Sequence, residues 1–238
     1  ELRYGENPHQ KAAFYIERGK SFNWNKLQGK QLSYNNYSDI EAAYEIVEEF
    51  QDTACVIIKH ANPCGFGLGT NSLEAFQRAV SSDPVSFFGG IVGFNSEFNI
   101  QTAQEIVQPF LECIIAPSYS KEVLNILKKK KNLRVIATKS SYNKSCYDIR
   151  CVAGGYLYQQ RDKQQGELNK LNIVTKRKPS VEEYNAFNIG WKLVRKVKSN
   201  AIVIANCNQI LSVGAGQMSR VDSVKIAFRK IKEANLSL

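Results

Sequence analysis

Lys59 and His60 stand side by side at the end of the apolar run Ala54-Cys55-Val56-Ile57-Ile58. An imidazole is the side chain suited to taking a proton near neutral pH. A cation next to it disfavours the charged ring and keeps it able to accept. The chain has only two histidines, His9 and His60. A metal centre built on imidazoles is therefore not expected. Zinc deaminases need H-x-E and P-C-x-x-C. Here Ala61-Asn62 follows His60, and Pro63-Cys64-Gly65-Phe66 leads to Gly67. Metal-dependent hydrolysis is disfavoured on those residues. The competing role for His60 is that of a hydrogen-bonded structural histidine.

Other residues carry weaker signals. Gly67-x-Gly69-x-x-Ser72 and Gly214-x-Gly216-x-x-Ser219 match neither a phosphate loop nor a dinucleotide fingerprint. Tight turning and helix capping explain most of their composition. Arg220 lies just inside the last helical pattern, where a guanidinium and a helix N-terminus can hold a carboxylate or phosphate. A surface arginine explains it equally well. The segment Arg3 to Gln10 is dense in ligand-binding side chains, but terminal segments usually fray. Lys128 to Lys131 has no interleaved aromatic residues and reads as a solvated helix end, not a single-strand platform.

The elements that must position these residues alternate between helix and strand. Ser38-Asp39-Ile40-Glu41 reads as a capping box opening a helix to Phe50. The run 54–58 is a buried strand, which puts Lys59 and His60 at its carboxyl end, where α/β folds bind ligands. Pro63 to Thr70 reads as a glycine-rich loop before a helix capped by Ser72. Phe87 to Phe94, Cys113 to Ala116 and Leu133 to Thr138 read as strands, with helices over Gln101 to Val107 and Lys121 to Lys131. Residues 139–179 are polar and loop-like, and form the best boundary. Ser180 opens a second capping box and a helix to about Lys198. A strand at 201–205, a turn at 206–208, a short strand to Gly214 and a helix capped by Ser219 complete the pattern. Ala54 and Ala201 are 147 residues apart, as are Gly67 and Gly214. The pattern predicts an α/β fold with an internal duplication.

The 238 residues carry 32 Lys and Arg against 22 Asp and Glu, a net charge of +10. Such a balance favours anionic partners, or is simply a basic surface. A basic nucleic-acid-binding module is the alternative function, suggested by charge alone. The six cysteines form no C-x-x-C pair and fit a reducing cytoplasm. No membrane span or signal peptide is visible. The chain opens on Glu1 and is expected to be a piece of a longer one.

Several motifs together resemble a known family. Arg3 to Gln10, Lys59 to Gly65, Phe88-Gly89-Gly90, Ile114 to Pro117, Lys198 to Ala201 and Gly214 to Asp222 occur in order. The set is similar to the aminoimidazole-carboxamide ribonucleotide (AICAR) transformylase region of the bifunctional purine biosynthesis proteins, whose other half is IMP cyclohydrolase. The resemblance implies two cytidine-deaminase-like α/β units, the second incomplete here: residues 1–140, a connection over 141–179, and 180–238. It implies formyl transfer from 10-formyltetrahydrofolate to the 5-amino group of AICAR, with no metal in the chemistry. His60 would accept the proton, and Lys59 or Asn200 would stabilise the transition state. Arg3, Tyr4, His60, Gly89, Glu112 and Asn200 would surround the nucleotide; some members carry aspartate at the Glu112 position. Arg220 and Val221 would face the folate. A homodimer in the cytoplasm is implied, with no nucleic-acid or membrane partner. Against the family pattern, the cyclohydrolase half and a carboxy-terminal segment of the pocket are expected to be missing.

Overall fold

The computed structural model describes residues 1–16, 18–19, 22–138, 147–162 and 171–236. The amino-terminal arm is not frayed. Leu2 N–H donates to the Ala12 carbonyl and Gly5 N–H to that of Gln10, both at 2.8 Å. Two further bonds dock the arm on residues 32–34: Arg3 N–H donates to the Leu32 carbonyl and Tyr34 N–H to that of Tyr4.

Strand β1 (Trp24–Gln28) precedes helix α1 (Tyr34–Val47). The helix begins a turn earlier than the sequence pattern predicts. Ser33 accepts from the Asn36 N–H and the Asn36 side chain returns the bond, so Ser-x-x-Asn serves as the capping box. Strands β2 (Thr53–Lys59) and β3 (Asn62–Gly69) then form a hairpin. The glycine-rich stretch is therefore a strand, not a loop. Its glycines alternate because helix α2 (Ser72–Ser82) lies directly on their face. A Cβ on Gly65 would sit 2.0 Å from the Ala79 carbonyl oxygen, and one on Gly67 2.6 Å from that of Ala75. Asn71, not Ser72, caps α2 by accepting from the N–H groups of Leu73 and Glu74.

Strand β4 (Ile91–Phe94), helix α3 (Ile100–Ile106), strand β5 (Cys113–Ala116), helix α4 (Lys121–Leu127) and strand β6 (Arg134–Thr138) complete the first half. Residues 87–90 are a turn, not strand: Gly89 has φ of 69°, which breaks extended pairing. The sheet order is β1-β6-β5-β4-β2-β3. Strands β4, β5 and β6 are parallel; β1, β2 and β3 join antiparallel. Both faces are covered, which explains the unbroken apolar run in β2. Ala54, Val56 and Ile58 pack towards α1, while Cys55 and Ile57 pack towards α2 and α3.

The stretch 139–179 is not all loop. Strands β7 (Tyr147–Val152) and β8 (Gly155–Gln160) form a hairpin that turns through Ala153-Gly154, both at positive φ. Residues 139–146 and 163–170 of that stretch lie outside the described residues. Arg161 anchors the hairpin base, pairing with Asp148 and with Glu41 and Glu45 of α1.

Helix α5 (Val181–Val194), strands β9 (Ile202–Ala205) and β10 (Ile210–Gly214) and helix α6 (Arg220–Glu233) come last. The Ser180 capping box is as the sequence predicts. Ser219 occupies the N-cap of α6 but makes no side-chain cap bond. Helix, antiparallel hairpin and helix thus occur twice, as α1-β2-β3-α2 and α5-β9-β10-α6. A Cβ on Gly214 would meet the Ser223 carbonyl of α6 at 2.0 Å, as one on Gly67 would meet the Ala75 carbonyl of α2 at 2.6 Å. The second hairpin abuts β3: Leu68 N–H donates to the Asn208 carbonyl at 2.7 Å. Ile189, Leu193, Val197, Ile210 and Val213 share one core with α1.

Candidate active site

Lys59 ends β2, and His60-Ala61 make the two-residue turn into β3. Both turn residues have positive φ, 53° and 58°, a conformation that costs non-glycine residues energy. Asp39 of α1 braces the turn by accepting the Ala61 N–H at 2.6 Å. Burial raises the Asp39 carboxyl pKa; the Ala61 N–H and the charges of His60 and Lys59 oppose that rise. His60 is exposed and Lys59 half-buried. The Lys59 ammonium donates to the Phe88 carbonyl, which commits one of its three hydrogens.

This cluster lies at the carboxyl end of β2 but at the amino ends of β4, β5 and β6, since Ile58 pairs with Ile91. The carboxyl-end rule for parallel strands therefore does not locate it; the antiparallel β2 does. Gly89 N–H donates to the Phe110 carbonyl at 2.8 Å, and Glu112 N–H to that of Gly90 at 3.0 Å. Lys59, Gly89 and Glu112 thus share one edge. Phe88 and Phe110 add an exposed aromatic wall, ring centroids 5.4 Å apart.

Arg134 opens β6 and is 2% exposed. Its guanidinium pairs with the Glu112 carboxylate and donates to the Gln31 carbonyl from Nε and Nη2, at 3.2 and 3.1 Å. Gln31 is followed by Leu32, which receives Arg3. The arm with Arg3 and Tyr4 is thereby tied to the same edge, and the Arg3 guanidinium lies 5.2 Å from the Tyr4 ring centroid. Arg134→Met should cost about 2 kcal/mol, because it removes two charge-assisted hydrogen bonds to the Gln31 carbonyl in a part-buried setting. Glu112→Gln should cost less than about 1 kcal/mol, because the half-exposed carboxylate is solvent-screened. Urea unfolding of both variants checks this; equal losses would show that the pair, not the carbonyl, dominates.

Asn62 links the turn to the second half, its Oδ1 accepting from Lys198 N–H at 2.9 Å. Two residues on, the Ser199-Asn200 peptide is cis. The Asn200 amide donates to the carbonyls of Gln217 and Met218, at 2.9 and 3.0 Å. Both its hydrogens are committed there, whereas the Lys59 ammonium gives one of its three to the Phe88 carbonyl. Arg220 and Val221, exposed on the first turn of α6, come directly after that segment.

Cys64, in the motif after His60, is buried and its thiol is pushed up to about 12, first by burial and then by the Asp83 charge. It stays protonated and inert. A separate cleft of about 1040 Å³ opens at the far end of the β2–β3 hairpin, lined by residues such as Asp52, Thr70, Arg78 and Lys192. It contains none of the candidate catalytic or substrate-binding residues, though Gly69 of the first glycine motif lines it. Asp39, Asn62, Phe110 and Arg134 were not singled out there. Asn62 leaves a trace within the Lys59–Gly65 motif, and Arg134 as an arginine heading an otherwise apolar strand.

The fold and this edge define a mixed α/β protein with a basic turn, an exposed imidazole and a braced carboxylate. The chain belongs to the AICARFT/IMPCHase bienzyme family, whose model matches residues 1–230. That family consists of bifunctional enzymes of purine biosynthesis. Among solved structures, Acinetobacter baumannii RibD, form 2, is similar at 14% identity over 42% of this chain and 33% of that one. The TM-score is 0.27. No helix among the described residues is long and apolar enough to cross a membrane.

Proposed function

We propose that this chain carries the formyl-transfer half of the bienzyme activity, moving a formyl group from 10-formyltetrahydrofolate to the 5-amino group of AICAR. The observation that carries the reading is the exposed His60 imidazole next in sequence to Lys59, whose ammonium commits one of its three hydrogens among the described residues. The 5-amino group is a weak nucleophile, since its lone pair is spread into the ring and carboxamide. His60 takes its proton as the nitrogen attacks the formyl carbon, worth typically about 10²–10⁴-fold. The C–N bond forms and the carbonyl oxygen becomes an oxyanion, stabilised by Lys59 on the order of 3 kcal/mol. Collapse expels the folate N10, to which His60 returns the proton. Arg3, Tyr4, Gly89, Glu112 and Asn200 surround the nucleotide in this reading, and Arg220 and Val221 face the folate.

The proposal includes a cytidine-deaminase-like duplication, divided as 1–140, 141–179 and 180–238. The repeated helix–hairpin–helix order and the matched glycine contacts of Gly67 and Gly214 support it. It also includes a homodimer in the cytoplasm. Sedimentation of the full-length natural protein at micromolar concentration tests the dimer; a monomer with full turnover would exclude it.

Formyl-AICAR production from the two substrates, followed by full-length protein with and without Arg3, tests the activity. Arg3→Ala should weaken nucleotide binding about tenfold, as loss of a charge-assisted contact does, and leave folate binding nearly unchanged. Equal weakening of both ligands would remove Arg3 from the nucleotide site.

A further inference from the structure

Asp83 closes α2, is 7% exposed, and plays no part in the chemistry above. Its surroundings are specific. Oδ2 accepts from the Lys230 ammonium of α6 at 2.8 Å. Oδ1 accepts from the Ser86 N–H at 2.8 Å. Its own carbonyl accepts from Phe87 N–H at 3.3 Å, and the Phe87 carbonyl from Gly90 N–H at 2.9 Å. Asp83 is thus the first residue of a hydrogen-bonded turn that runs to Gly90. That turn presents the Phe88 carbonyl to the Lys59 ammonium. The neighbouring Ser82 hydroxyl donates to the Ile210 carbonyl at 2.6 Å, so the same point is fixed to β10 as well.

We propose that Asp83, clamped by Lys230, is a positioning residue for Lys59: it sets the 83–90 turn whose Phe88 carbonyl holds the ammonium, and it registers that turn against α6. Burial alone would raise the Asp83 pKa, but the hydrogen bonds from Lys230 and Ser86 outweigh it and hold the carboxyl below its ordinary value. The group is therefore a fixed anion near neutral pH. Asp83 belongs to the first helix–hairpin–helix unit and Lys230 to the second. Their contact makes the aim of Lys59 depend on how the two units sit together. A plain structural ion pair would affect stability only. A positioning pair must also change the environment of Lys59.

The kinetic arm of the test rests on the formyl-transfer reading, and the labelling arm does not. In full-length protein, mass spectrometry follows the rate at which Lys59 is dimethylated by formaldehyde and borohydride. Asp83→Ala should speed that labelling several-fold and lower kcat about tenfold, short of the roughly 10²-fold that an ångström of misplacement can cost. KM for the nucleotide should change little, since the ammonium acts in the transition state. Asp83→Asn keeps an acceptor for Ser86 but turns an amide donor toward Lys230, so its kcat and labelling rate should fall between those of the native protein and Asp83→Ala. A folded Asp83→Ala protein that labels at the native rate overturns the proposal. Faster labelling in a protein that never transfers formyl groups keeps the positioning role and discards the functional reading. Where Asp83→Ala does not fold, Lys230→Met decides. It leaves the Ser86 bond intact, and faster Lys59 labelling supports the clamp whereas an unchanged rate overturns it.

Discussion

His60→Ala in the full-length protein is expected to lower single-turnover formyl transfer by about 10²-fold or more, within the typical 10²–10⁴-fold range for a general base. Nucleotide affinity should change far less, because the proton moves only in the transition state. The residue sits at φ of 53°, so an effect of the backbone must be separated from loss of the imidazole. His60→Asn does this, since asparagine adopts positive φ readily but cannot serve as the base. Both variants should lose turnover alike, with the unfolding temperature of His60→Asn close to native. Lys59→Met should also lower turnover, through the oxyanion. The double variant should lose less than the product of the two single losses, because both groups act on one intermediate. A folded His60→Asn protein keeping more than roughly a third of the native single-turnover rate contradicts the general-base role, whose expected loss is far larger.

The sequence makes β2, β5 and β10 legible, because each is a short apolar run with clear ends. It also yields the Ser180 capping box, and Lys59 directly after the 54–58 run, a strand that the structure extends to Thr53–Lys59. It misleads where one residue type serves two purposes. The alternating glycines of β3 look like a loop, yet they are smooth ground for α2, and the helix that requires them is a separate element. Ser38-x-x-Glu41 satisfies a capping pattern by chance within α1, while Ser33 and Asn36 perform the capping. The hairpin of β7 and β8 is hidden by polar flanks, though Ala153-Gly154-Gly155 marks its turn. In the site, the residues of the β2–β3 turn are adjacent in sequence and can be read directly. Glu112, Arg134 and Gln31 meet only because β5 and β6 are paired, and Asp39 reaches the turn only because α1 packs across β2. Asp83 and Lys230 are 147 positions apart, the same interval as separates Gly67 from Gly214, but nothing local to either marks them as partners.

Gly65→Ala is expected to destabilise the fold by on the order of 3 kcal/mol, at the upper end for overpacking. The added carbon would stand 2.0 Å from the Ala79 carbonyl oxygen and 2.9 Å from its carbon. These are backbone atoms in the third turn of α2, so no side chain can rotate away. Either the helix lifts from β3 or the strand bends. Lifting α2 would withdraw Phe76 and Ala79 from the core they share with Cys55 and Ile57. It would also shift Asp83 at the end of the helix, and with it the turn that holds Lys59. Loss of formyl transfer in the residual folded fraction should therefore accompany the loss of stability. Gly190→Ala is the matching control. Gly190 lies within α5, and a Cβ there meets nothing nearer than the Ala205 methyl at 3.9 Å. That substitution should stabilise the protein by about 0.5–1 kcal/mol, since glycine weakens a helix interior relative to alanine. Denaturant unfolding of the two variants should move the midpoint in opposite directions. If Gly65→Ala unfolds at the native midpoint, α2 is not seated on the glycine face of β3, and the route from Asp83 to Lys59 loses its base.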